Sequence, residues 1–188
     1  QTLIGVGSSF TESAASVLAE LSEETRKKVM NAYFSPQGAH ISLTRTHIAS
    51  CDFSLRNYTY APVAGDVDME HFSIEPDRTY LLPMIKEAQA VQGADFKIVA
   101  SPWTAPPWMK DNNNTIGGSL QPQYYGVYAQ YFVKYIQKMK EEGIIIDAIT
   151  PQNEPLHPGN NPSLLMTALQ QTDFIKNHLG PAFQTSNI

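Results

Sequence analysis

The strongest constraint on this 188-residue chain is an order of segments: a short apolar run, a polar loop, then an amphipathic helical stretch, met four times. Strands that alternate with helices pair in parallel through right-handed crossovers. The pattern predicts a strand over 2–6, a helix over 12–21 and a second helix over 23–34. Ser22 is placed to cap that second helix, and Glu23 and Glu24 suit the positive end of its dipole. Gly38 punctuates, and 39–45 alternates as a second strand. Residues 46–77 carry no helical period, and structureless stretches this long inside a domain are often functional. A helix over 83–91 is expected with Pro83 in its first position, followed by a buried strand over 97–100 and a Pro/Trp-rich loop over 101–122. Val127, Tyr128, Tyr131, Phe132, Tyr135, Ile136 and Met139 form one stripe on a helix over 124–142, which Gly143 ends. A fourth strand is expected over 144–150. Thr167 and Gln170 match a capping box for a last helix, closed at Gly180-Pro181.

Four such units take about 47 residues each, so eight would need roughly 376, within the range of an α/β barrel of the (β/α)8 TIM type. A doubly wound sheet of four or five strands fits the length better. The loops decide between the two, because both architectures bind ligands where strands end and helices begin.

Several classes of function are excluded by composition. A net charge of −5 and a pI near 5.5 argue against nucleic acid. One cysteine, Cys51, leaves no intrachain disulfide and no Cys-rich zinc cage. No run of about 18 apolar residues predicts a membrane span. Only 16% of residues are charged, and amides, hydroxyls and tyrosines supply the polarity instead, a surface suited to uncharged hydroxylated ligands. The chain starts on Gln1 without a basic-then-apolar leader, so a trimmed start is expected, and with it a secreted or periplasmic location. Asn57-Tyr58-Thr59 and Asn113-Asn114-Thr115 match glycosylation sequons.

No cofactor or metal is expected. Gly5-x-Gly7 opens a dinucleotide fingerprint, but its third position is Phe10 and no acid follows at a second strand end. A calcium loop from Asp111 fails, with Ile116 at the turn glycine and Pro122 where a bidentate Glu belongs. His47 and Cys51 have no third and fourth ligand spaced to join them, so they read as a polar loop pair.

The strand ends instead gather an Arg, an Asp, an Asn, a Glu and both tryptophans. Glu154 follows the fourth strand, where burial against Trp rings would raise its pKa and keep it protonated for a leaving oxygen. Its alternative is an exposed Glu in an ordinary loop. Asn153 is placed to reach a sugar 2-hydroxyl, a contact that strengthens in an oxocarbenium-like transition state. Trp103 and Trp108 read either as core under a loop or as an apolar platform for the C–H face of a pyranose. Asp52 either caps its loop or accepts from two adjacent hydroxyls. Arg45 either pairs with a local acid or, the preferred reading, holds a catalytic carboxylate ionised.

With these residues in hand the chain resembles glycoside hydrolase family 30, which contains lysosomal and bacterial glucosylceramidases and microbial endo-β-1,6-glucanases. The resemblance rests on Gly5-Val6-Gly7-Ser8-Ser9-Phe10-Thr11-Glu12-Ser13-Ala14-Ala15, on Ala49-Ser50-Cys51-Asp52-Phe53-Ser54 with Tyr58-Thr59-Tyr60, and on Ala100-Ser101-Pro102-Trp103-Thr104-Ala105-Pro106-Pro107-Trp108. Thr150-Pro151-Gln152-Asn153-Glu154-Pro155 and Asp173-Phe174-Ile175 with Leu179-Gly180-Pro181 complete it. It implies a (β/α)8 barrel with an attached β-sandwich and a retaining, metal-free double displacement on β-glucosides. By motif match Glu154 is the acid/base, Asn153 binds the 2-hydroxyl, Asp52 and Trp103 bind the sugar, and Arg45 supports the catalytic carboxylates. Arg45-Thr46-His47 departs from the Arg-Val-Pro of the vertebrate lysosomal enzyme and is closer to bacterial members. The family's nucleophile is a Glu after the seventh strand, beyond the four units here. Residues 1–188 are therefore expected to be the amino-terminal half of the catalytic domain, partnered by the missing half of the barrel and by a carbohydrate or glycolipid substrate. The alternative is a carbohydrate-binding or assembly fragment without catalysis.

Overall fold

The computed structural model describes residues 5–188. Its centre is a four-stranded, all-parallel sheet in chain order: β1 (Gly7–Ser9), β2 (Leu43–Ile48), β3 (Lys97–Pro102) and β4 (Ala148–Ile149). Consecutive strands are neighbours and each crossover carries helix: α1 (Glu12–Ala19) and α2 (Glu23–Phe34), then α3 (Leu81–Gln89), then α4 (Tyr125–Glu141). This is the sequential order of a barrel, not the reversing order of a doubly wound sheet. β1 and β4 are the two edges.

Of the strand expected over 2–6, residues 2–4 lie outside the described residues, and the pairing seen begins at Gly7. Gly7 is required there: a Cβ would collide with the Leu43 carbonyl oxygen. β2 starts four residues later than expected and runs to Ile48. The reason is that α2 has first claim on the backbone. Ala39 and Ile41 N–H donate to the carbonyls of Ala32 and Tyr33, satisfying the helix end before the chain is free to pair. Arg45 consequently lies within β2 rather than at its end. A similar claim shortens β4. Gly143 at φ +80° and Ile144 close α4 with N–H bonds to Lys140 and Met139, and only two residues pair as strand after that.

The helix expected over 83–91 begins at Leu81, so Pro83 is its third residue, still in the first turn, where no N–H is needed. β3 extends to Pro102, drawing Ser101 from the expected loop into the sheet. Thr167 and Gln170 form the expected capping box on α5 (Ala168–Phe174). Gly180-Pro181 does not close the helix: a π-turn (Ile175–Leu179) leads into α6 (Gly180–Thr185). The wider turn places Pro181 in the first turn of α6, where its missing N–H and its ring are tolerated.

The stripe on α4 buries Tyr128, Tyr131, Phe132, Tyr135 and Met139. The long 46–77 segment packs onto it through Tyr60, whose ring stacks on Tyr131 and Tyr135 with centroids 5.9 and 5.8 Å away. Aromatic pairs of this kind add about 0.5–1.5 kcal/mol beyond burial. Asp77 is buried beneath them and accepts from the phenols of Tyr58 and Tyr60. The long loop is thus a fixed wall, and it presents Asp52 at the carboxyl end of the sheet.

Candidate active site

The site is built from the carboxyl ends of all four strands. A cavity of about 540 Å³ there is lined by Arg45, Asp52, Trp103, Asn153 and Glu154, together with Phe10, His47 and Phe53. Residues from every βα unit, separated by more than a hundred positions, meet at one mouth.

Arg45 rises from β2 and is held on three sides. Its Nη2 donates to Asn153 Oδ1 at 2.7 Å, its Nε donates to Ser101 Oγ at 3.3 Å, and its guanidinium carbon sits 4.7 Å from the Trp103 ring centroid. Among the described residues it touches no carboxylate within ion-pair distance, and its link to Glu154 runs through Asn153. Because a guanidinium has only donors, the carbonyl side of Asn153 must face it. The Asn153 nitrogen then faces Glu154, donating to Oε2 at 3.3 Å.

Glu154 occupies the left-handed region at φ +44°, a conformation costing about 1–2 kcal/mol for a residue with a Cβ. The turn is held by His157 N–H donating to the Glu154 carbonyl. Two further bonds fix the approach to it. Asn153 N–H donates to the Pro102 carbonyl, and Gln152 Nε2 donates to the carbonyls of Trp103 and Asn153. The side chain of Glu154 is exposed, so the burial against indoles expected to raise its pKa is not found in this chain.

Trp103 is buried along the cavity wall, and its Nε1–H has no partner among the described residues. Trp108 is elsewhere. Its Nε1 donates to the Ala61 carbonyl at 2.9 Å and its ring meets Tyr124 edge-on, so it fastens the β3 loop to the 46–77 wall instead of offering a platform. Asp52 is exposed at the mouth. His47 is no metal ligand: its Nε2 accepts from Glu12 N–H and its Nδ1 donates to the Ala49 carbonyl, leaving neither nitrogen free. Burial pushes its pKa down to about 4 and keeps it neutral. Cys51 is also buried, and burial raises its thiol to about 11.

Sequence reasoning missed Asn160. Its Nδ2 donates to both Asp52 Oδ2 (3.1 Å) and Glu154 Oε2 (3.2 Å). Nothing in its spacing marks it, because the bond to Asp52 spans 108 positions between two loops.

Residues 3–188 match the glycosyl hydrolase family 30 TIM-barrel domain. The chain belongs to glycoside hydrolase family 30. Among relatives of this family, it is 36% identical to mouse lysosomal acid glucosylceramidase, covering 100% of this chain and 38% of the relative. It is 34% identical to the Trichoderma harzianum endo-1,6-beta-D-glucanase BGN16.3, covering 100% and 41%. The solved endo-β1,6-glucanase BT3312 superposes with a TM-score of 0.93 at 37% identity, covering 100% of this chain and 43% of that one. The chain therefore spans about two fifths of the family 30 proteins it matches, and its sheet corresponds to the amino-terminal part of their barrel.

Proposed function

We propose that this chain is the amino-terminal half, residues 1–188, of the catalytic barrel of a retaining β-glycosidase acting on β-glucosides, either a glucosylceramide or a β-1,6-glucan. The observation that carries the reading is the convergence of Asp52, Trp103, Asn153 and Glu154 on one cavity at the strand ends. Glu154 protonates the glycosidic oxygen as the bond to the anomeric carbon breaks. A second carboxylate outside this chain attacks that carbon from the other face, and water activated by Glu154 then releases the sugar with retained configuration. Asn153 donates to the 2-hydroxyl with the amide hydrogen that Glu154 does not use. Trp103 supports the sugar ring, and Asp52 accepts from adjacent hydroxyls. No resident cofactor or metal is needed for these steps. Arg45-Thr46-His47 favours a bacterial source, and the lysosomal name of the mouse relative fits a location outside the cytoplasm. Among the described residues no helix is long and apolar enough to cross a membrane.

Two measurements test this. The isolated chain should show no β-glucosidase turnover, since one carboxylate cannot form and break the intermediate, and activity should return when the remaining barrel is added. Robust turnover by the chain alone would place the nucleophile within these residues and sink the half-barrel reading; it would leave a binding or assembly role as no alternative either. Asp52→Asn in the complete protein should lower kcat/KM by about 10²-fold, because a charged acceptor to hydroxyls is worth a few kcal/mol in the transition state. Unchanged kcat/KM would remove Asp52 from the sugar subsite.

A further inference from the structure

We infer that Asn160 is a positioning residue that selects the working oxygen of Glu154 and ties it to the sugar subsite at Asp52, an inference that rests on Glu154 being the acid/base. The orientation of its amide is fixed by its own loop. Asn160 Oδ1 accepts from the Asn161 N–H at 2.9 Å, so the carbonyl end is used and the nitrogen must face the mouth. That nitrogen has two hydrogens and two acceptors, Asp52 Oδ2 and Glu154 Oε2.

The loop that carries Asn160 is anchored to both neighbouring units. Asn161 Oδ1 accepts from Asn57 Nδ2 at 2.8 Å, and the same nitrogen donates to Thr115 Oγ1 at 3.2 Å. Lys110, buried, donates from Nζ to the carbonyls of Ser163 and Asn114, and Ser163 Oγ donates to the Pro158 carbonyl. The amide therefore approaches the two acids from a braced support.

The chemical consequence lies in which oxygens are taken. Glu154 Oε2 accepts from Asn153 and from Asn160. A carboxylic acid whose Oε2 already accepts two N–H bonds places its proton on Oε1, the oxygen then free to reach a leaving group. The charged groups around Glu154 are Asp52 on the β2 loop and Arg45 on β2, the latter acting through Asn153, with His157 on the same turn; His47 on β2 is kept neutral by burial. Asn160 thus bridges the two acids, giving one amide hydrogen to each.

The test uses the complete protein and two variants. Asn160→Ala removes the donor; Asn160→Asp keeps the oxygen that receives Asn161 N–H but puts a carboxylate where the donor was, so the loop is preserved. In both, kcat/KM on alkyl β-glucosides should fall roughly 10–100-fold, a share of the total acid contribution, while activated aryl β-glucosides, which need little protonation, lose less than about threefold. A residue that merely braces the loop would depress both substrates equally; that outcome in both variants overturns the inference. Glu154→Gln, measured alongside, separates the two levels: should it show no dependence on the leaving group, the acid/base reading itself fails.

Discussion

Replacing Glu154 by Gln in the complete protein is expected to slow hydrolysis of poor leaving groups by about 10²–10⁴-fold. Gln keeps the size and can still accept at its oxygen, but it brings no proton to the glycosidic bond. Formation of the intermediate from activated aryl glycosides needs little protonation and should survive. Water attack would still lack its base. With Glu154→Ala, added azide needs no base and should restore turnover, giving a glycosyl azide of retained configuration. An azide product of inverted configuration would show that no covalent intermediate had formed and would overturn the mechanism. The effect should be specific to the carboxyl, because the turn around it is held by backbone bonds of Asn153 and His157 that the substitution leaves in place.

Stability should respond to pH in opposite directions in two other variants. His47 is neutral in the fold, with its pKa lowered by burial from 6.5 to about 4. Between those values the unfolded chain takes up a proton that the folded chain refuses, so acidification costs stability, on the order of 3 kcal/mol by linkage. Asp77 behaves in reverse. Burial raises its carboxyl from 3.8 to about 7 against the two phenols that donate to it. Over that window the folded chain holds a proton that the unfolded chain has lost, so stability falls as pH rises, again by on the order of 3–4 kcal/mol. The two slopes oppose each other and largely cancel between pH 4 and 6.5 in the native protein. Asp77→Asn should therefore unmask a stability that climbs with pH, and His47→Asn one that declines. Denaturant midpoints taken at intervals across this range read the slopes directly, whatever the absolute cost of each substitution. Parallel curves for the two variants would contradict both assignments.

The part of this molecule visible in its sequence is the part decided locally. Ser22, the Thr167–Gln170 box and Gly143 each act within a few residues of themselves, and each is where it was expected. The start of β2 and the length of β4 depend on which backbone groups a preceding helix has already claimed, a competition that periodicity does not register. The site divides the same way. Asn153-Glu154 after a strand is a local signal, whereas the partner of Arg45 is settled by a strand and a loop 108 positions apart. Trp103 and Trp108 are five residues apart and chemically alike, yet one lines the cavity and the other is consumed by the Ala61 carbonyl. No property of either tryptophan in isolation separates them.

The order of the sheet also has a meaning for how such a chain is made. Leu43 pairs back to Gly7, Lys97 to Leu43, and Ala148 to Val99. Each strand after β1 thus pairs back onto residues already synthesised. A chain leaving the ribosome amino terminus first can add its βα units one at a time, each new strand covering the edge that the last one left open. The outer edge of β1 is the exception. Within this sheet β1 is the oldest strand, and none of the three that follow it pairs with its outer side, so its exposed N–H and C=O groups stay open while the rest of the sheet is laid down.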